Sequence, residues 1–483
     1  SVFNVPYIYT LGNTMSQSML ADNSSKRRLI GAFADLTLGY KSYVFLNLTG
    51  RNDWSSTLPI NQRSYFYPAV ATSFIFSDAF DLKNDFFSYG KIRAGWAKVG
   101  NDASPYSIND VYVILDPYKS QSRARLGYTA HDPNLQPEFT EEIELGTQLE
   151  FFQRRLSFDL TWYKKLSSNQ IASLTLPPSS GYGSYYTNFG KIENKGIELD
   201  INGKIIRSDN FNWDMHLSFT KNKNTVLELI EGVDRIQLNG VLTDISPYLE
   251  PGMPFGYLRG TSNYRDDEGN LLVDPSTGLL IPNPEPGMVG DPNPDFKMGL
   301  GTTLSYKGAF LSAHFDWTQG GDIYSVTINS LLGRGVTKDT EDREHTWVIP
   351  GYYGDPNSGK PILDKNGNKI PNTTQVTTND LYFGNSFAIN SETEFNIYDA
   401  TVYRFRDLTI GYELPKKWLN STPFGSVVVS LSGQNLWYFA PNVPKYTRFD
   451  PEVNSFGSST TQGIELSAAP TTRRFGVNLK LTF

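Results

Sequence analysis

The last stretch of the chain alternates strictly. Phe475, Val477, Leu479, Leu481 and Phe483 are apolar, while Gly476, Asn478, Lys480 and Thr482 are small or polar, so an extended strand here has one greasy face and one wet face. Two settings suit a strand that runs to its final aromatic residue: the closing strand of a membrane β-barrel, or a docked terminal strand of a soluble sandwich.

The same period of two recurs throughout. It predicts strands at 29–40, 42–53, 66–77, 89–100, 142–151, 156–162, 197–205, 211–219, 298–307, 309–318, 400–413, 426–438 and 475–483, thirteen in all. Tight turns join pairs at Tyr40-Lys41-Ser42, Gln153-Arg154, Ser208-Asp209-Asn210 and Lys307-Gly308, while long connections, the longest from 320 to 399, separate the pairs. Most of these strands run 10 to 13 residues, against about 5 to 6 for soluble strands and about 9 to 11 for tilted membrane strands. Length and loop asymmetry together predict an all-β fold: a transmembrane antiparallel β-barrel with short periplasmic turns and long extracellular loops. Residues 1–28 show no sustained period and read as an extracellular loop segment, leaving 29–483 as the barrel portion.

Charge obeys the alternation. In the clearest strands the apolar phase holds no Asp, Glu, Lys or Arg, and the other phase carries Glu142, Glu144, Glu150, Asp159, Glu198, Asp200, Lys204, Asp214 and Lys480. A buried core excludes charge from one face as lipid does, so this pattern alone does not choose the solvent. One strand breaks phase: Tyr403 and Phe405 fall on one parity, Leu408, Ile410 and Tyr412 on the other. A one-residue β-bulge at Arg406-Asp407 would restore a single face; the alternative is that Tyr403 and Phe405 lie above the membrane, where phase matters less.

Composition narrows the function. Aromatics make up 14%, with 28 Tyr and 30 Phe, an excess that interfacial girdles would use. The net charge of −7 argues against a nucleic-acid partner. With no Cys and four scattered His, neither a thiol nucleophile nor a His/Cys metal cluster is available. No apolar run reaches the length of a transmembrane helix, which does not bear on barrel strands. The start, Ser1-Val2-Phe3, has no leader character, so an exported protein of this kind is expected to be longer than this chain.

No catalytic or metal set emerges. Glu142 and Glu144 share a strand face as a glycosidase pair might, but a hydrated lumen wall is the favoured reading. Asp266-Asp267-Glu268-Gly269-Asn270 and Asp364-Lys365-Asn366-Gly367-Asn368 lack the full calcium-loop spacing and read as turns. Gln319-Gly320-Gly321-Asp322 lacks the Lys-Ser/Thr of a phosphate loop. The candidate ligand-contacting residues are loop aromatics, Tyr182, Tyr185 and Tyr186 in one loop and Trp347, Tyr352 and Tyr353 in another, whose rings suit sugar faces or peptide side chains; interfacial or loop packing is the alternative.

Six segments, in order, resemble the SusC/RagA-type TonB-dependent transporters of bacterial outer membranes. They are Leu48 to Ser56 (LTGRNDWSS), Lys91 to Trp96 (KIRAGW), Phe189 to Leu199 (FGKIENKGIEL), Gly290 to Phe296 (GDPNPDF), Phe405 to Pro415 (FRDLTIGYELP) and Gly433 to Leu436 (GQNL). The resemblance implies a 22-stranded barrel around a plug, of which this chain holds about the last thirteen strands. It further implies glycan or oligopeptide import with a SusD-like surface lipoprotein, drive from the TonB-ExbB-ExbD complex through an N-terminal part outside this chain, and no enzymatic activity or cofactor. Two other roles remain open: a non-transporting structural barrel component of a larger outer-membrane complex, and a soluble carbohydrate-binding or hydrolytic β protein.

Overall fold

In the computed structural model, which describes residues 6–7, 13, 24–118, 121–238, 242, 244–383, 392–456 and 461–483, one antiparallel path of thirteen strands dominates. They are β1 (Leu29–Tyr40), β2 (Val44–Ser55), β3 (Ser64–Phe74), β4 (Phe87–Asn101), β5 (Glu138–Phe151), β6 (Leu156–Thr175) and β7 (Ser184–Arg207), followed by β8 (Phe211–Leu229), β9 (Phe296–Tyr306), β10 (Ala309–Gln319), β11 (Val402–Glu413), β12 (Ser426–Phe439) and β13 (Arg474–Thr482). Each pairs with its neighbours in sequence order, and β1 and β13 pair on one side only. The segment 1–28 lies largely outside the described residues.

Period-2 alternation sets the two faces. Leu145, Trp162 and Ile197 stand opposite one another across β5, β6 and β7 and are all more than a third exposed, with no second layer over them among the described residues. The other phase of the same strands holds Glu144, Asp159 and Glu198. Apolar side chains in this number leave water only for lipid or protein. Aromatic rings gather toward both strand ends. Phe219, Phe296, Trp317, Tyr403 and Phe439 form a chain of ring contacts near the long-connection end. Near the tight-turn end, Phe86, Phe87, Phe151, Phe152 and Phe158 do the same. Two such bands are the arrangement of interfacial girdles.

Three strands run to about twice their expected lengths or more. β6, β7 and β8 run 20, 24 and 19 residues, because the phase lapses beyond the greasy band while backbone pairing continues. The connection from β6 to β7 therefore shrinks to residues 176–183, and Tyr185 and Tyr186 lie on a strand rather than in a loop. Of the two readings of the phase break, the bulge is the one that occurs: His314 pairs with Asp407 and Phe315 with Phe405, leaving Arg406 as the extra residue.

The buried apolar clusters lie in the longer connections and adjoining strand ends, on the side opposite the tight turns. Packing there is of a soluble kind: Leu174, Phe189, Ile192 and Val226 join Ile236, Leu238 and Leu249, while Ile323, Ile328, Leu332 and Phe449 close another cluster. A shell of folded connections thus sits on one end of the sheet.

Candidate functional site: the polar face and the loop shell

Arg93 organises the polar face. Its guanidinium donates to both carboxylate oxygens of Asp159 at 3.1 and 2.6 Å and to Thr161, and lies 3.5 Å from Glu144. Gly146, opposite Arg93 in register, makes room: a Cβ there would fall 2.5 Å from Arg93 Nε. Around this pair, Glu142, Tyr163, Lys165, Asn194, Glu198 and Asp200 line an open recess of about 630 Å³. The lining is charged and hydrogen-bonding, as a wetted wall is. Glu142 and Glu144 are members of this lattice.

The sequence-nominated aromatics divide into two places. Tyr182 donates to Asp110 Oδ2 at 3.2 Å, and Asp110 also accepts from the His131 backbone N–H at 2.9 Å. Partial burial alone would raise the Asp110 carboxyl, but hydrogen bonds from His131 and Tyr182 outweigh it and hold it below the usual range. Tyr186 packs with Leu58, Tyr65 and Leu135. In the second group, Trp347 Nε1 donates to Thr378 at 2.9 Å, its ring meets His345 edge-on, and it is 46% exposed. Tyr352 faces Lys369, and the Tyr353 hydroxyl bonds with Thr373 and Thr374, which pull its phenol down to about 8. Trp347 is the most open ring of the set; Tyr352 and Tyr353 are also held in strand pairing with Leu272 and Val273 of the β8–β9 connection.

The two turn motifs are occupied by the protein's own donors. Asp266 accepts from the N–H groups of Glu268 and Asn270 and from Lys369 Nζ; burial would raise its carboxyl, but the Lys369 and Asn270 hydrogen bonds hold it far below the usual range. Asp364 accepts from the N–H groups of Asn366 and Asn368. Gly269 and Gly367 both sit at φ +85°, which closes each turn.

Sequence reasoning missed a cluster where the last connection meets β11. Arg404 bonds Asp450 at 2.9 and 2.6 Å with both side chains almost fully buried. Arg406, the residue the bulge adds, takes both oxygens of Glu452 at 2.9 and 2.7 Å and also meets Asp316. The phase break at 405–408 was the available signal.

Comparison with known proteins agrees with this geometry. Residues 3–436 match the family described as TonB dependent receptor-like, beta-barrel, and the chain belongs to that family. Among curated relatives, TonB-dependent receptor P26 of Formosa agariphila is 26% identical over 97% of this chain and 47% of its own length. TonB-dependent receptor SusC of Bacteroides thetaiotaomicron is 23% identical over 95% and 44%. The chain thus spans about half the length of the curated relatives it matches. The solved RagAB peptide transporter superposes with a TM-score of 0.72 at 19% identity, over 95% of this chain and 48% of that one, which establishes likeness of fold.

Proposed function

We propose that this chain forms the lumen wall and extracellular loop shell of an outer-membrane TonB-dependent nutrient importer, comprising the last thirteen strands of a 22-stranded barrel. The observation that carries the reading is the single long-stranded sheet, greasy and uncovered on one face, charged on the other, with its longer connections folded into a shell at one end. Membership of the family supports an outer-membrane location.

In this reading cargo enters between the shell and a SusD-like lipoprotein, the TonB-ExbB-ExbD complex acts through the N-terminal part of the whole protein, and the charged wall keeps the passage wet. Glycan and oligopeptide are the two cargo classes, and Trp347, Tyr182, Tyr185, Tyr186, Tyr352 and Tyr353 are the nominated contacts. The test is growth of a deletion strain on oligopeptides or on glycans as limiting nutrient, beside a strain lacking TonB. Equal growth defects on one nutrient class, restored by the intact gene, support the importer; no defect in either strain on any such nutrient contradicts it.

A further inference from the structure

Between β12 and β13 the chain runs from 440 to 473 and contains three acidic residues, Asp450, Glu452 and Glu465. All three are anchors. Asp450 and Glu452 take the two arginines of the β11 bulge, as described above. Asp450 also accepts from Thr471 at 2.8 Å, so it holds both arms of the segment. Glu465 is fully buried against a different element, the helix Val326–Gly333 of the β10–β11 connection. Its carboxylate accepts from the Ser325 hydroxyl at 2.7 Å, the Thr327 hydroxyl at 2.6 Å, the Thr327 N–H at 3.1 Å and the Ala468 N–H at 2.6 Å.

Apolar packing follows the same line. Phe449, next to Asp450, closes a cluster with Ile328 and Leu332 of that helix, and Ile464, next to Glu465, is buried with Tyr324, Ile245 and Leu258. The strand Asp322–Ser325 is paired on one side by Ile397–Asp399 and on the other by Ile464–Glu465. Asp450 and Glu465 therefore each have an apolar neighbour that enters the shell core, and the wall anchors and helix anchor lie on one short piece of chain.

We propose that the described stretches 440–456 and 461–473 strap the shell to the barrel wall, so that the helix Val326–Gly333 and the β11 bulge change state together. The bulge is the wall-side half of the device. Without the extra residue, Arg404 and Arg406 would share a face with Leu408 and Ile410, and the arginines could not meet Asp316, Asp450 and Glu452 while those side chains stay on the greasy side. Coupling works because the strap is fixed at both the wall and the helix by buried carboxylates, which lose their partners when pulled away. The coupling stands on these contacts and not on the transport reading.

Hydrogen exchange on the full-length protein in nanodiscs tests it. Asp450→Asn and, as the milder change, Glu452→Gln are expected to raise exchange of the Ile328–Leu332 amides as well as those near 404–406, by a factor on the order of 5 to 150, the range of coupled sites. Glu465→Gln is expected in turn to loosen 402–406, because coupling between two sites runs in both directions. Exchange confined to the side that carries the substitution, in either direction, overturns the proposal. Should Asp450→Asn fail to assemble, Glu452→Gln and Glu465→Gln decide between the same two outcomes.

Discussion

Arg404 and Asp450 meet in a two-pronged, buried ion pair although 46 residues separate them. Losing one partner strands a buried charge, at a cost of about 3–5 kcal/mol. Asp450→Ala is therefore expected to release the last connection from the wall while β12 and β13 remain paired. Protease cleavage within 440–456 with an intact, membrane-resident core is the expected result.

The same pair fixes a pH dependence. Burial would raise the Asp450 carboxyl, but hydrogen bonds and charge from Arg404, with the Glu452 N–H and Thr471, outweigh it and hold it below its ordinary value. A depressed carboxylate contributes in full above its unfolded value, about 4, and loses that contribution as pH falls through the folded value. A spin label on Lys445→Cys is expected to keep its neutral-pH mobility down to about pH 4 and to loosen below it.

The apolar face predicts an asymmetry between neighbours. Leu145→Arg places a charge toward lipid at a cost on the order of 2–4 kcal/mol near the midplane, whereas Glu198→Gln on the polar face should cost well under about 1 kcal/mol. Urea unfolding in detergent or bilayer discs measures both.

Gly146 leaves space that Arg93 fills. Gly146→Val is expected to displace the guanidinium from Asp159. That partly exposed pair is worth about 1 kcal/mol or less, so stability changes little. In a double-mutant cycle with Asp159→Asn the two effects should fail to add, since each removes the same contact.

Legibility in the sequence follows the physics of each region. Wherever one face meets an apolar medium, parity is enforced residue by residue, so β5, β12 and β13 are readable from their alternation, as is the bulge from the conflict between Phe405 and Leu408. Beyond the greasy band, strands such as β7 continue beside the folded connections, which cover residues of both parities (Thr187 and Phe189, Ile192) and erase the period of two; for that reason the pattern around Tyr185 and Tyr186 looks like a loop. The loop shell is opaque because its partners are distant in sequence. Glu465 is an ordinary acidic residue until the helix at 326 is placed beside it, and Arg406 shows a phase break without showing what it holds.

The central claim is that one face of this sheet meets lipid and the other water, and site-directed spin labelling measures it directly, the absence of Cys from this chain leaving only any cysteine elsewhere in the full-length protein to be replaced. Single cysteines at Val429, Ser430, Leu431 and Ser432 of β12 would be spin-labelled in the full-length protein in native outer membrane. Relaxation by oxygen, which partitions into lipid, should dominate at 429 and 431, and relaxation by a water-soluble nickel chelate should dominate at 430 and 432. Equal access of the chelate to all four positions, or no alternation, would contradict the barrel reading.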